Sequence, residues 1–255
     1  MKYDYHVALI TVTATEEAGL RYMYDNWKPL HLEDDDQEYY ETTFTRNEQT
    51  YKILTARAKE MGMTAAGVLT MKMITMFRPK YVIMVGIAAG IAYRKHVDQI
   101  YGDVVVPDIV WDYSSGKFVS AKRASVNFGD VGFIPRPHFV NTDEELIKAV
   151  EQAMESKENE CHVYIGPMAC GSTVVASSEI VEKQIHSQYG NTAALDMESY
   201  AVMYAVKEAP APKPKGLVIK SVCDYADEGK SDQYQKFASY TSAQFAKLLY
   251  EKFLK

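Results

Sequence analysis

The chain has 255 residues, 47% hydrophobic and 24% charged, with a formal net charge of −6. That is enough apolar material for one large α/β domain or two small ones, and it excludes a disordered chain. The acidic balance, with no long basic run, excludes nucleic acid as the main partner, and no apolar run approaches the ~20 residues that cross a bilayer. In chain order, His6–Val12 reads as a strand, and Thr13-x-x-Glu16 as a capping box that opens a helix. The acidic stretch Glu33–Glu38 reads as a solvated loop and Tyr51–Ala56 as a strand. Met63–Phe77 has helical periodicity and stops before Pro79, with Met61, Met63, Met71, Met73 and Met76 spaced like a buried face. Tyr81–Val85 reads as a strand ending in a turn at Gly86–Gly90, followed by strands at Asp103–Val106 and Ile109–Ser120, the latter folded around Ser115–Lys117.

Thr142-x-x-Glu145 reads as a second capping box before a helix. His162–Ile165, Ala193–Leu195 and Gly216–Val222 are buried-strand candidates, and Ala209–Lys215 is a surface loop. Phe237, Thr241, Phe245, Leu248, Leu249 and Phe253 mark one face of a final long helix. Alternating strands and helices predict a three-layer α/β/α architecture with a central mixed, mainly parallel sheet, residues 1–255 forming a single domain. Ligands of such folds bind at the carboxyl ends of strands. Three polar or glycine-rich clusters fall there: Thr13–Glu17, Gly86–Gly90 and Asp224–Asp227.

The three cysteines, Cys161, Cys170 and Cys223, form no zinc-ligand spacing and no disulfide framework, so neither a metal nor a cofactor is expected. With no signal-peptide layout at the start of the chain, a cytoplasmic location is expected. Asp224 follows a buried strand, where a dry pocket would let a carboxyl group donate a proton; of Asp224 and Asp227, at least one serves the turn. Glu198 opens a helix after a strand and can accept two hydrogen bonds from vicinal hydroxyls such as those of ribose, or simply meet the helix dipole. Cys223 reads as a small packed residue and His6 as a structural one.

The order Thr-x-Glu-Glu after the first strand, Val85–Gly90, Tyr101–Val106, Gly166–Ser172, Leu195–Glu198 and Cys223–Asp227 resembles the purine nucleoside phosphorylase/uridine phosphorylase superfamily, from about His6 to Leu249. Within it the chain looks closer to the methylthioadenosine/adenosylhomocysteine nucleosidases, and closest to nucleosidase-like domains fused to signalling and immune-type proteins. The resemblance implies the nucleoside phosphorylase fold and cleavage of a purine–ribose N-glycosidic bond. It implies that Asp224 protonates purine N7 and that Met197 and Glu198 hold the ribose. Val174 and Val175 match positions that pack on the base, the first often aromatic in relatives, and Gly86, Ile87 and Ala88 match the nucleophile side of the sugar. A glutamate after the first strand would activate water. Glu16 and Glu17 compete for that role; Glu16 already serves the capping box and Glu17 fits the following Ala-Gly-Leu pattern, so Glu17 is favoured.

Met84 stands where phosphorylases of the superfamily typically carry arginine, which favours water over phosphate, although Lys52, Arg57 and Lys59 lie near a strand end and could supply charge. The expected partner is a purine nucleoside or nucleotide, with adenine as the base. A phosphate-dependent phosphorylase and a non-catalytic nucleotide-sensing module are the alternatives. Arg94-Lys95-His96 could reach a 5′ phosphate or simply be a basic loop. A homo-oligomer, a dimer or higher, is implied, with the aromatic segment Phe128–Phe139, including Phe133, His138 and Phe139, either crossing to a neighbour or forming a surface loop with a local hydrophobic cluster.

Overall fold

The computed structural model describes residues 2–91, 98–124, 126–128 and 131–255. The strands are β1 (Tyr5–Thr11), β2 (Lys28–Leu32), β3 (Asp35–Arg46), β4 (Gln49–Arg57), β5 (Pro79–Gly90), β6 (Val104–Val106), β7 (Ile109–Asp112) and β8 (Gly116–Ser120). They continue with β9 (Val126–Phe128), β10 (Val131–Pro135), β11 (His138–Asn141), β12 (Val163–Ile165), β13 (Met168–Cys170), β14 (Ala194–Asp196) and β15 (Lys215–Asp224). The helices are α1 (Ala14–Arg21), α2 (Met63–Phe77), α3 (Glu144–Met154), the short α4 (Ser178–Ile180), α5 (Ser199–Lys207) and α6 (Gln235–Leu248).

Twelve strands form one mixed sheet, in the order β11-β7-β13-β14-β5-β1-β4-β3-β2 with β15, β6 and β12 branching from β5. Its centre is parallel: β1 lies between β4 and β5, and β15 runs along β5. These central strands are apolar on both faces, as parallel strands covered by helices must be. In β5, Val82 and Met84 pack with Leu69, Met73 and Phe77 of α2 and Val202 of α5. Tyr81, Ile83 and Val85 point the other way, against Val150 of α3 and Phe245 and Ala246 of α6. The three-layer arrangement follows from that alternation.

Several sequence expectations are corrected. Gly86–Gly90 is not a turn: β5 continues through it, pairing Gly86, Ile87 and Ala88 with Lys220, Ser221 and Val222. The acidic stretch after Leu32 is the tip and start of a β2–β3 hairpin, with Leu32 opposite Asp35. Ile109–Ser120 is not a hairpin. Asp112 ends β7 by accepting hydrogen bonds from Ser114 N at 2.8 Å and from the Ser114 and Ser115 hydroxyls. The chain then leaves for a separate three-stranded sheet, β8-β10-β9. Phe133 is buried there within the chain, whereas His138 and Phe139 are exposed. The cap of α3 is Asp143, which accepts from Glu145 N at 2.9 Å, while the Thr142 hydroxyl donates to the Pro107 carbonyl at 2.6 Å. Met61 and Met76 are exposed rather than buried, and so is Phe237 of α6. Arg94, Lys95 and His96 lie outside the described residues. Among the described residues no helix is long and apolar enough to cross a membrane.

Candidate active site

The ends of β1, β5, β14 and β15 converge on a cavity of about 310 Å³ whose walls include Glu16, Glu198 and Asp224. Glu16 is the third residue of α1, and Thr13 caps that helix through a complete capping box. Glu16 Oε2 accepts from Val12 N and Thr13 N, both at 2.8 Å, and Oε1 accepts from Ile87 N at 2.8 Å. The carboxylate therefore bridges β1 to β5. This requires Gly86: a Cβ there would sit 2.0 Å from Glu16 Oε1. The glycine is selected for close approach rather than for a turn. With three N–H donors and four lone-pair sites, Glu16 keeps one acceptor position, on Oε1.

The preference for Glu17 is corrected by position. Glu17 does not line the cavity; its carboxylate turns to Arg57, 2.8 Å away, and it lines a separate surface pocket. On a helix, neighbours one residue apart point about 100° away from each other, so Glu16 and Glu17 cannot share a destination.

Glu198 sits at the start of α5 and is buried. Its Oε1 accepts from Gly62 N at 2.8 Å. Behind it lies Lys220 of β15, only 1% exposed, with its Nζ 3.3 Å from Asp196 Oδ2 and 3.8 Å from both Glu16 Oε1 and Glu198 Oε2. Burial works against the ammonium, but Asp196, Glu16 and Glu198 outweigh it and hold the proton more firmly than water would. Burial also raises Glu198 to about 7, against the pull of Lys220 and with added repulsion from Asp196. Asp196 is further tied by the Ser199 backbone N–H and by the Ser199 hydroxyl at 2.7 Å.

Asp224 ends β15 and is 3% exposed. Its Oδ1 accepts from Ala226 N at 2.9 Å; its Oδ2 accepts from Cys223 Sγ at 3.3 Å and from the Lys230 ammonium. Asp227 takes the turn role, accepting from Gly229 N at 2.9 Å. Burial pushes the Cys223 thiol up, which disfavours the thiolate form. Met197, Val174, Val175, Ile87 and Ala88 line the same cavity, Val174 largely exposed at its mouth and Val175 buried. Gly86 is not part of the wall but lies beneath Glu16.

Three residues at the site were not read as site residues from sequence, Met61 being assigned to a helix face. Lys220 had a signal, since a lone lysine inside the apolar run Leu217–Val222 is buried only if carboxylates surround it. Lys230 and Met61 had none; each reaches the cavity from a loop whose path depends on the whole fold. The cations weighed as phosphate ligands lie elsewhere: Arg57 pairs with Glu17, Lys52 with Glu41, and Lys59 lines a second cavity. Met84 is fully buried in the core. Among the described residues no cluster of histidine, cysteine and carboxylate side chains is arranged to hold a metal ion.

The chain is similar to several known proteins. A crystal structure of 5′-methylthioadenosine/S-adenosylhomocysteine nucleosidase from Neisseria meningitidis, in complex with methylthio-immucillin-A, superimposes with a TM-score of 0.74 at 25% identity, covering 96% of this chain and 97% of that one. Among curated proteins, the uncharacterized protein y4jS of Sinorhizobium fredii is 33% identical over 87% of this chain and 54% of its own length. The ATP nucleosidase Cap17 of Escherichia coli is 22% identical over 80% of this chain and 42% of its own length. The chain thus spans about half the length of these two curated relatives. Residues 9–255 match the family model of the phosphorylase superfamily, and the chain belongs to that superfamily.

Proposed function

We propose that residues 1–255 form one catalytic unit, an N-glycosyl hydrolase that releases adenine from a nucleoside or nucleotide using water. The observation that carries this reading is the placement of three carboxyl groups, Glu16, Glu198 and Asp224, around one cavity. Asp224 passes its proton to purine N7 as the bond from C1′ to N9 breaks and its electron pair leaves with the base. Glu198 accepts from the 2′ and 3′ hydroxyls and fixes the sugar. Water adds to C1′ and gives its proton to the open position on Glu16 Oε1; free base and ribose are the products. Met197, Val175 and Val174 pack on the nucleoside, and Ile87 and Ala88 line the water side.

Water rather than phosphate is supported by charge. The only cation behind Glu16 is Lys220, among the described residues, and three carboxylates already surround it. On that side a phosphate dianion would meet Glu16, Asp196 and Glu198, with no cation among the described residues there that is not already paired.

The 5′ substituent has room beyond Met61. That residue also lines a second cavity of about 460 Å³ with Lys59, Glu60, Thr64, Lys72 and Ser172, polar groups suited to a charged 5′ arm. The name of the Cap17 relative, an ATP nucleosidase, supports a nucleotide. A homo-oligomer belongs to the same proposal, supported by exposed Val68 and Met76 on α2 and Tyr204 on the adjoining α5. The test is a panel of adenosine, methylthioadenosine, adenosylhomocysteine, AMP and ATP, with and without phosphate, with released adenine quantified. Release without phosphate is expected. Strict phosphate dependence overturns the hydrolase reading, and binding without turnover leaves only a sensing module.

A further inference from the structure

Asp224 is proposed above to donate a proton to N7, yet every partner it has is a donor. Oδ1 is held by the backbone N–H of Ala226 at 2.9 Å, inside a turn where Ala226 adopts a left-handed φ of 53°. That bond is part of the chain path and cannot be released alone. Oδ2 is different, because its partners are side chains: the weak Cys223 thiol donor and the Lys230 ammonium. A purine N7 is an acceptor, so the oxygen that meets it must carry a proton. A proton and an ammonium on the same oxygen repel each other, so each disfavours the other there.

Resting on the hydrolase reading, we propose that Lys230 and the purine N7 compete for Asp224 Oδ2. Binding of the base displaces the ammonium, and Asp224 takes up a proton from solvent at that oxygen. Lys230 is thus a positioning residue that keeps the acid covered until a purine arrives. The surroundings permit the exchange. The Lys230 side chain is 27% exposed, so its ammonium can move into water. Its loop stays anchored without it: Tyr234 stacks on Tyr101 at 3.9 Å between centroids, and Lys230 N donates to the Asp227 carbonyl at 3.2 Å. Asp232 lines the same cavity and offers the displaced ammonium a carboxylate.

The test is the affinity for adenine, measured by calorimetry at neutral pH in the wild type, Lys230→Met, Asp224→Asn and the double variant. Loss of the competitor should tighten adenine binding roughly fivefold to tenfold in Lys230→Met. In the Asp224→Asn background the same change should do nothing, because the asparagine amide has no ammonium to release. Lys230→Arg should restore wild-type affinity and guards against a misfolded loop. Weaker binding in Lys230→Met, or equal tightening in both backgrounds, overturns the proposal. If the wild type binds no adenine yet releases it from nucleosides, only the competition falls; if it neither binds nor releases adenine, the hydrolase reading fails with it. If the wild type binds adenine and hydrolyses nucleosides while the cycle shows no coupling, only the role of Lys230 falls.

Discussion

Strand β1 is buried along its whole length and β5 along nearly all of it, but their two ends are built from opposite chemistry. At the amino ends, His6 of β1 and Tyr81 of β5 enter a dry aromatic cluster with Phe44 and Tyr51. The His6 ring lies 4.8 Å from Tyr51 and 5.4 Å from Tyr81, and Phe44 stacks on Tyr51 at 5.1 Å. At the carboxyl ends, the same strands reach a group of carboxylates and one lysine, all nearly inaccessible to water. Aromatic burial stabilises the fold by ~0.5–1.5 kcal/mol per ring pair beyond the area term. Burying charges is uphill, and even a well-made buried pair is often no better than apolar side chains of the same volume. The contrast teaches that these strands carry stability at one end and chemistry at the other.

The strongest way to break that division is Asp224→Asn. Under the proposed mechanism the amide cannot supply the N7 proton, and base release should fall by ~10²–10⁴-fold. Ligand binding and the thermal midpoint should change little, since an uncharged side chain is easier to bury. A rate near wild type removes Asp224 from the mechanism.

Comparing Glu16→Gln with Glu17→Gln sharpens the boundary. Glutamine at 16 keeps a single carbonyl oxygen for three N–H donors, so at least one is left unmatched, a cost of ~1–3 kcal/mol in stability. Base release should also fall ~10²-fold or more with the loss of the group that takes the water proton. Glutamine at 17 removes partly exposed ion pairs with Arg57 and Arg21, and activity should stay within a few-fold. Equal rate losses in the two variants would reinstate Glu17.

The smallest expected effect belongs to the aromatic end. Burial pushes His6 down to about 4, opposed by its contact with the Tyr250 carbonyl. The folded value lies below the unfolded one of about 6.5, so the unfolded chain takes the proton first as pH falls. The stability contributed by neutral His6 is full above about 6.5 and declines until about 4, by at most ~3 kcal/mol. His6→Phe should flatten that part of the stability–pH curve in denaturant titrations while leaving neutral-pH activity intact. An unchanged slope would show that His6 does not govern acid sensitivity.

Much of this division was legible in the sequence. The apolar runs at His6–Val12, Tyr81–Val85 and Gly216–Val222 became the three central strands, and Asp224 and Glu198 fall where a strand ends and a helix begins. What misled were residues with two uses. The capping box gives Glu16 a structural job and so tilts the choice to Glu17, yet only one of the Glu16 oxygens serves the cap, the other accepts from Ile87 N, and the residue lines the cavity. The glycines after Val85 read as a turn because local propensity records freedom of the backbone, not the approach of a distant carboxylate. The break after Asp112 came from hydroxyl groups two and three residues on, a local signal that was present but outweighed by the β-rich run around it.

Lys220 has a consequence for the order in which the molecule can become functional. Its three carboxylates come from α1, the end of β14 and the start of α5, segments at opposite ends of the chain. An intermediate with β15 docked but β14 loose would bury an ammonium with most of its counter-charge missing, and one lacking Lys220 would crowd the acids together. Partial assemblies are therefore penalised, and the long-range contacts that create the cavity close together rather than in sequence. A chain nicked between β14 and β15 should accordingly lose structure and activity in one step, with no half-active species between.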